Sequence, residues 1–188
     1  NLPNWIDVGQ WLNSFAIAVA SGAVDNYGSN GDGHNAMFYV RPSDGRVLYF
    51  PHDLDYYPGS PYQNSIVPNG DLNKMIAYAG YERLYYGHLY HLLSTSYNQT
   101  YMSYWANHFG QLLAGQDFAS YLSFIHQRSQ YLLSELNSRI APQYAFEITS
   151  SDATVDSDYA QVSGKAWMDV KDIYLEGVDS PLELQWTS

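Results

Sequence analysis

Two short stretches carry most of the oxygen-bearing side chains that could do chemistry in this chain: "GAVDNYGSNGDGHN" at residues 22–35 and "FPHDLDYYPG" at residues 50–59. The first crowds two aspartates, three asparagines and four glycines into fourteen positions, and the second holds an Asp-x-Asp pair, Asp53 and Asp55. Three chemistries use such residues. Asp, Asn and Gly make turns, because their side chains bond nearby backbone and tolerate left-handed conformations. Carboxylates and amide oxygens hold calcium. They also hold the magnesium ions that bridge nucleotide phosphates, beside a carboxylate that orients an acceptor hydroxyl.

An EF-hand fails on spacing. That loop needs oxygen ligands at positions 1, 3 and 5, Gly at 6 and Glu at 12. Starting at Asn26 sets Asn30 and Gly31 correctly but puts Met37 at the twelfth position, and starting at Gly28 puts Tyr39 there. Phosphoryl transfer fits better. Protein kinases use Asp-x4-Asn in a catalytic loop, then a metal-binding Asp after a short hairpin. Asp25 to Asn30 has that spacing, and a hairpin leads from it to Asp53-Leu54-Asp55.

The elements around these residues are readable. Val8, Trp11, Leu12, Phe15 and Val19 form one stripe of a helix over 5–23, with Asp7 at its positive end and Gly22 closing it. "NAMFYV" (35–40) and "RVLYF" (46–50) flank "RPSDG", a Pro/Ser/Asp/Gly turn, and so predict a β-hairpin whose second strand delivers His52-Asp53-Leu54-Asp55. Residues 56–70 read as loop. Asp71 can cap a helix running to about 95; further helices are predicted at 99–114 and 117–140, the last ended by "APQY". Beyond Pro142 the pattern changes to alternation with Ser/Asp turns, which predicts three or four strands of a truncated β-sandwich and a boundary near 142. The fold class is α+β. No internal repeat or low-complexity tract occurs.

Composition narrows the partners. Nineteen acidic against eight basic residues give a formal charge of −11, unsuited to nucleic acid or an anionic membrane. Hydrophobic residues make up 46% of the 188, enough for a real core. There is no cysteine, which removes disulfides and thiolate chemistry, and no run approaches a membrane span. Asn1 opening just before a helix and "LELQWTS" closing the chain in a strand-like run read as a piece of a longer polypeptide.

Taken in order, "GAVDNYGSNGDGHNAMFYVRPSDGRVLYFPHDLD" resembles the central motif of the CotH family, the spore-coat-protein-H-like secreted kinases. The resemblance covers roughly residues 4–140, including "DVGQWLNSFAIAVASG", "RLYYGHLYHLL" and "FIHQRSQYLLSEL". The segment 143–188 resembles the Ig-like β-sandwich module that often follows this domain in large secreted bacterial proteins. The resemblance implies a kinase-like carboxyl-terminal lobe that uses ATP with Mg²⁺ or Mn²⁺ to phosphorylate Ser or Thr of a protein substrate. By position it makes Asp25 the catalytic carboxylate, Asn30 a nucleotide-metal ligand with Asn35 a second candidate, Asp53 the nucleotide-metal ligand after the hairpin, and Asp55 a supporting one. His52 stands where many members have Trp. The family's amino-terminal lobe has no counterpart here: Lys74, the one lysine in residues 1–142, follows the acidic motif and cannot be the phosphate-binding lysine. That departure leaves a second expectation, a non-catalytic structural or binding segment of an extracellular protein joined to the remaining domains of its parent polypeptide.

Other features have plainer readings beside the chemical ones. His88 and His91 are three apart on a helix, a spacing that binds zinc or simply forms a helix face. Asp152, Asp156 and Asp158 could hold a structural Ca²⁺ or sit in solvated turns. The tyrosines at 78, 81, 85, 86 and 90 follow helical spacing and read as packing. "NQT" at 98–100 is a glycosylation sequon that occurs often by chance.

Overall fold

The computed structural model describes residues 2–30, 33–55, 61–113 and 115–187, without the Asn30 side chain. Helix α1 (Val8–Ser21) is the axis on which the rest is assembled, and its buried face is Leu12, Phe15, Ala16, Val19 and Ala20. Asp7 caps it by accepting a hydrogen bond from the Gln10 amide at 3.2 Å, and Gly22 ends it in the left-handed conformation with φ 74°. The short α2 (Tyr27–Asn30) follows, then the antiparallel pair β1 (Ala36–Val40) and β2 (Val47–Pro51), in register from Ala36 opposite Pro51 to Val40 opposite Val47.

A two-stranded ribbon is marginal alone, and α1 shows how this one is held. The edge of β2 turned away from β1 is satisfied by side chains and by the segment leading into α1. Val47 donates to the Trp5 carbonyl at 2.8 Å, and its own carbonyl accepts from the Trp11 indole at 2.8 Å. The Tyr49 amide donates to Gln10 Oε1 at 3.0 Å, and its carbonyl accepts from Ser14 Oγ at 2.7 Å and from the Gln10 side-chain amide. The outward-facing backbone groups of Val47 and Tyr49 thus find partners on α1 or just before it. The Tyr49 side chain is fully buried between Trp11, Phe15 and Tyr27, with ring centroids 5.3–5.4 Å away.

Helix α3 (Gly70–Ile76) is capped by Asn69, which accepts from Asp71 and Leu72 amides at 2.7 and 3.0 Å. Asp71, the cap expected from the sequence, is instead the second residue of the helix; Asn69 holds the capping position, its side-chain amide also donating to the Tyr27 carbonyl. The single helix expected to 95 is broken at Ala77–Tyr78, and α4 (Ala79–Thr95) packs along α1. Then come α5 (Gln99–Leu112) and α6 (Phe118–Arg139), which contributes Leu132 and Leu136 to the core.

Where alternation after 142 suggests three or four strands, the described residues hold one two-residue ladder, β3 (Glu147–Ile148) with β4 (Gly164–Lys165). Alternation needs partner strands to become a sheet, and few of these residues have them. The segment is nevertheless anchored. Trp167 and Met168 are buried in the same cluster as Leu12 and Leu89. The Trp167 indole donates to the Ala141 carbonyl at 2.9 Å and stands edge-on to Tyr90. Arg83 donates to carbonyls of Ala166, Trp167 and Val170 and lies over the Trp186 ring at 3.5 Å. The architecture is α+β, with six α-helices and two small antiparallel ladders among the described residues.

Candidate functional site

The loop between α1 and β1 is built on a buried asparagine. Asn26 is fully buried, and its Oδ1 accepts from the Gly28 amide at 2.8 Å, the Asx-turn that starts α2. Gly28 is required there, since a Cβ would sit 2.4 Å from the Ala18 Cβ and 2.9 Å from the Tyr49 hydroxyl. Tyr27 is fixed at both ends: its amide donates to the His34 carbonyl at 2.9 Å and its hydroxyl to Asp71 Oδ2 at 3.0 Å. Burial, then the hydrogen bond to Asp71, holds the Tyr27 hydroxyl well above its ordinary pKa. Lys74, 2.8 Å from Asp71, and then Tyr27 hold the Asp71 carboxyl below its ordinary range.

Asp25, at the exposed bend ahead of Asn26, is flanked by this rigid frame. Asn35 closes the loop onto it: Asn35 Nδ2 donates to the Asp25 carbonyl at 3.1 Å, while the Asn35 carbonyl accepts from the His52 amide at 3.0 Å. The register places Asn35 opposite His52, so Asp25, Asn35 and the start of His52-Asp53-Leu54-Asp55 share the open end of the hairpin, away from the Arg41–Arg46 turn. Asn35 (φ 51°) and Asp53 (φ 54°) are the non-glycine residues with positive φ among the described ones. Left-handed conformation costs an L-residue free energy even where Asn and Asp bear it best. Both strained residues lie at that one end, and both had been singled out from the sequence.

Asp53 and Asp55 are exposed, as is Asp25. Asn30 is the last residue of α2, but its side chain lies outside the described residues, as do Gly31, Asp32 and residues 56–60. The oxygen-only donor set of Asp53, Asp55 and Asn35 suits a hard divalent cation such as Mg²⁺ or Mn²⁺. Among the described residues no three carboxylates or imidazoles converge closely enough to hold an ion, whether here, at His88 and His91, or at Asp152, Asp156 and Asp158. His88 instead packs on the core side of α4, and burial pushes its imidazole down to about 4.

One residue that sequence reasoning passed over organises the site's other flank. Arg128 of α6 is 1% exposed. Its guanidinium donates to the carbonyls of Val19 (2.7 Å), Tyr62 (2.7 Å) and Asn64 (2.6 Å). It therefore ties the end of α1, three residues before Gly22, to the loop that returns from Asp55. Burial lowers its pKa, and no carboxylate among the described residues pairs with it. A small cavity of about 230 Å³ lies beside it, lined by Gly22, Val24, Ser29, Asn64 and Ser65 among others. Only the isolated basic residue in an apolar helix stripe hinted at this. No protein-family model, characterised protein or solved structure matches the chain.

Proposed function

We propose that the chain is the carboxyl-terminal lobe of a CotH-like secreted bacterial kinase, transferring phosphate from ATP to Ser or Thr of a protein substrate. The observation that carries the reading is the convergence on one hairpin end of Asp25, Asn35 and Asp53, two of them in left-handed backbone. Strain of this kind survives where surrounding structure enforces it, and it gathers at working sites. The motif order of loop, strand, turn, strand and acidic pair is also what the chemistry uses.

In this reading Asp25 orients the acceptor hydroxyl and takes its proton. It stands in solvent-accessible reach, while Asn26, Gly28 and Asn35 hold its backbone. Asp53, Asp55, Asn35 and Asn30 would hold the divalent cation, which when bound neutralises charge on the phosphates. Arg128 keeps the two loops in register. The segment after 142 would belong to an Ig-like module of the same secreted parent. Incubating the full-length parent with ATP and Mg²⁺ and searching for phosphoserine or phosphothreonine by mass spectrometry tests the reading. Phosphate incorporation lost in Asp25→Asn is the expected result, and incorporation unchanged in that variant defeats it.

A non-catalytic binding segment is the second reading, favoured by Lys74. The one lysine of residues 1–142 is committed to Asp71 at 2.8 Å, so these residues offer no lysine for a phosphate. A parent that incorporates no phosphate would select this reading.

A further inference from the structure

Helix α5 differs from its neighbours in burying no residue fully, although its sequence is aromatic. Tyr101, Tyr104, Trp105, Phe109, Leu112 and Leu113 are 38–66% exposed. Their spacing of three and four puts them on one side of the helix, while Gly110 turns the other way, its Cα hydrogen facing Phe118 of α6. The rings touch one another: Trp105 stacks on Phe109 at 6.0 Å, meets Tyr104 edge-on at 5.1 Å, and His108 lies between them. This is a continuous ridge of rigid aromatic surface.

Two quantities identify what covers it. The first is charge. Residues 84–116 contain no Asp, Glu, Lys or Arg, in a chain of net charge −11. Two like-charged copies repel at any approach, and least through this helix, which adds no charge of its own to the contact. The second is area. With about 200 Å² for a full side chain of this size, the exposed fractions amount to about 600 Å² per copy. A symmetric pair then closes about 1,200 Å², the lower bound for specific association. The composition is that of an interface centre, Tyr, Trp and Phe with no charged residue among them. We propose that α5 is the contact surface of a symmetric dimer, packing against α5 of a second copy of this chain. The proposal is independent of the kinase reading.

Sedimentation of the chain over a wide concentration range, at low and high salt, tests it. The expected result is a monomer–dimer equilibrium that tightens with salt, because screening weakens the −11 against −11 repulsion while the apolar contact persists. Replacing Tyr104, Trp105 and Phe109 together by Ser should weaken association at least about a hundredfold, with helical circular dichroism retained because none of the three belongs to the buried core. Since the chain has no cysteine, His108→Cys offers a second measurement. Near the two-fold axis it should cross-link to its own copy on oxidation, whereas Ser138→Cys on α6 should not. A chain that stays monomeric at every concentration and salt overturns the proposal. So does a dimer indifferent to the triple substitution, or a ridge that binds phosphatidylcholine vesicles while the chain remains monomeric.

Discussion

Replacing Asp53 by glycine separates strain held for a function from strain held for the fold. Asp53 sits at φ 54° with its side chain exposed. A left-handed L-residue costs roughly 1–2 kcal/mol, which glycine recovers. Glycine in turn loses roughly 0.5–1 kcal/mol through the freedom it adds to the unfolded chain. The terms nearly cancel, so Asp53→Gly should unfold in urea within about 1 kcal/mol of wild type. Asp53→Val, branched at Cβ and poorly suited to positive φ, should lose about 1–2 kcal/mol. The assay is equilibrium urea unfolding of the three proteins side by side. Loss of more than about 2 kcal/mol in Asp53→Gly would refute the reasoning, because the carboxylate would then be holding the turn itself.

Four other outcomes follow from the same structure. Arg128→Met leaves three carbonyls without their donor and should cost about 3–5 kcal/mol of unfolding free energy; Arg128→Lys should recover little of it, since one ammonium cannot span Val19, Tyr62 and Asn64. Burial holds His88 at about 4, against about 6.5 in the unfolded chain. The unfolded state therefore takes up the proton first, and stability complete above about pH 6.5 should fall towards pH 4. Allowing for partial solvation, that loss is about 2 kcal/mol, and it should vanish in His88→Gln when urea unfolding is compared across the two pH values. In Gly87→Ala the new Cβ meets the Met168 carbonyl oxygen at 2.8 Å; it should cost about 1–3 kcal/mol, and limited proteolysis should then cut faster beyond Ala141.

Much of this arrangement was legible in the residues themselves. The α1 stripe, its Asp7 cap and its Gly22 stop were local signals, and the Pro-Ser-Asp-Gly turn set the hairpin whose end carries Asp53. Asp25, Asn35 and Asp53 were singled out by the order of the motif and its resemblance to the CotH pattern rather than by any local signal of their placement. What stayed hidden depends on distant partners. Arg128 shows in the sequence only as a basic residue within an apolar stripe; its partners, the carbonyls of Val19, Tyr62 and Asn64, are distant in the chain. Trp167 and Met168 lie in a segment whose alternation suggests sheet, yet they pack on α4 because Gly87 leaves room for the Met168 backbone. The displaced cap at Asn69 is subtler, a competition between two capping residues two positions apart that the Tyr27 carbonyl settles by accepting from the Asn69 side-chain amide.

The central claim is the proposal that the strained hairpin end is a nucleotide-metal site, and calorimetry of the full-length protein tests it most directly. Asp53→Asn is the right comparison, since asparagine tolerates the same left-handed backbone and removes only the charge. The account predicts ATP binding that requires Mg²⁺ or Mn²⁺ and is lost in Asp53→Asn. No binding to the wild type, or equal binding to the variant, would contradict it.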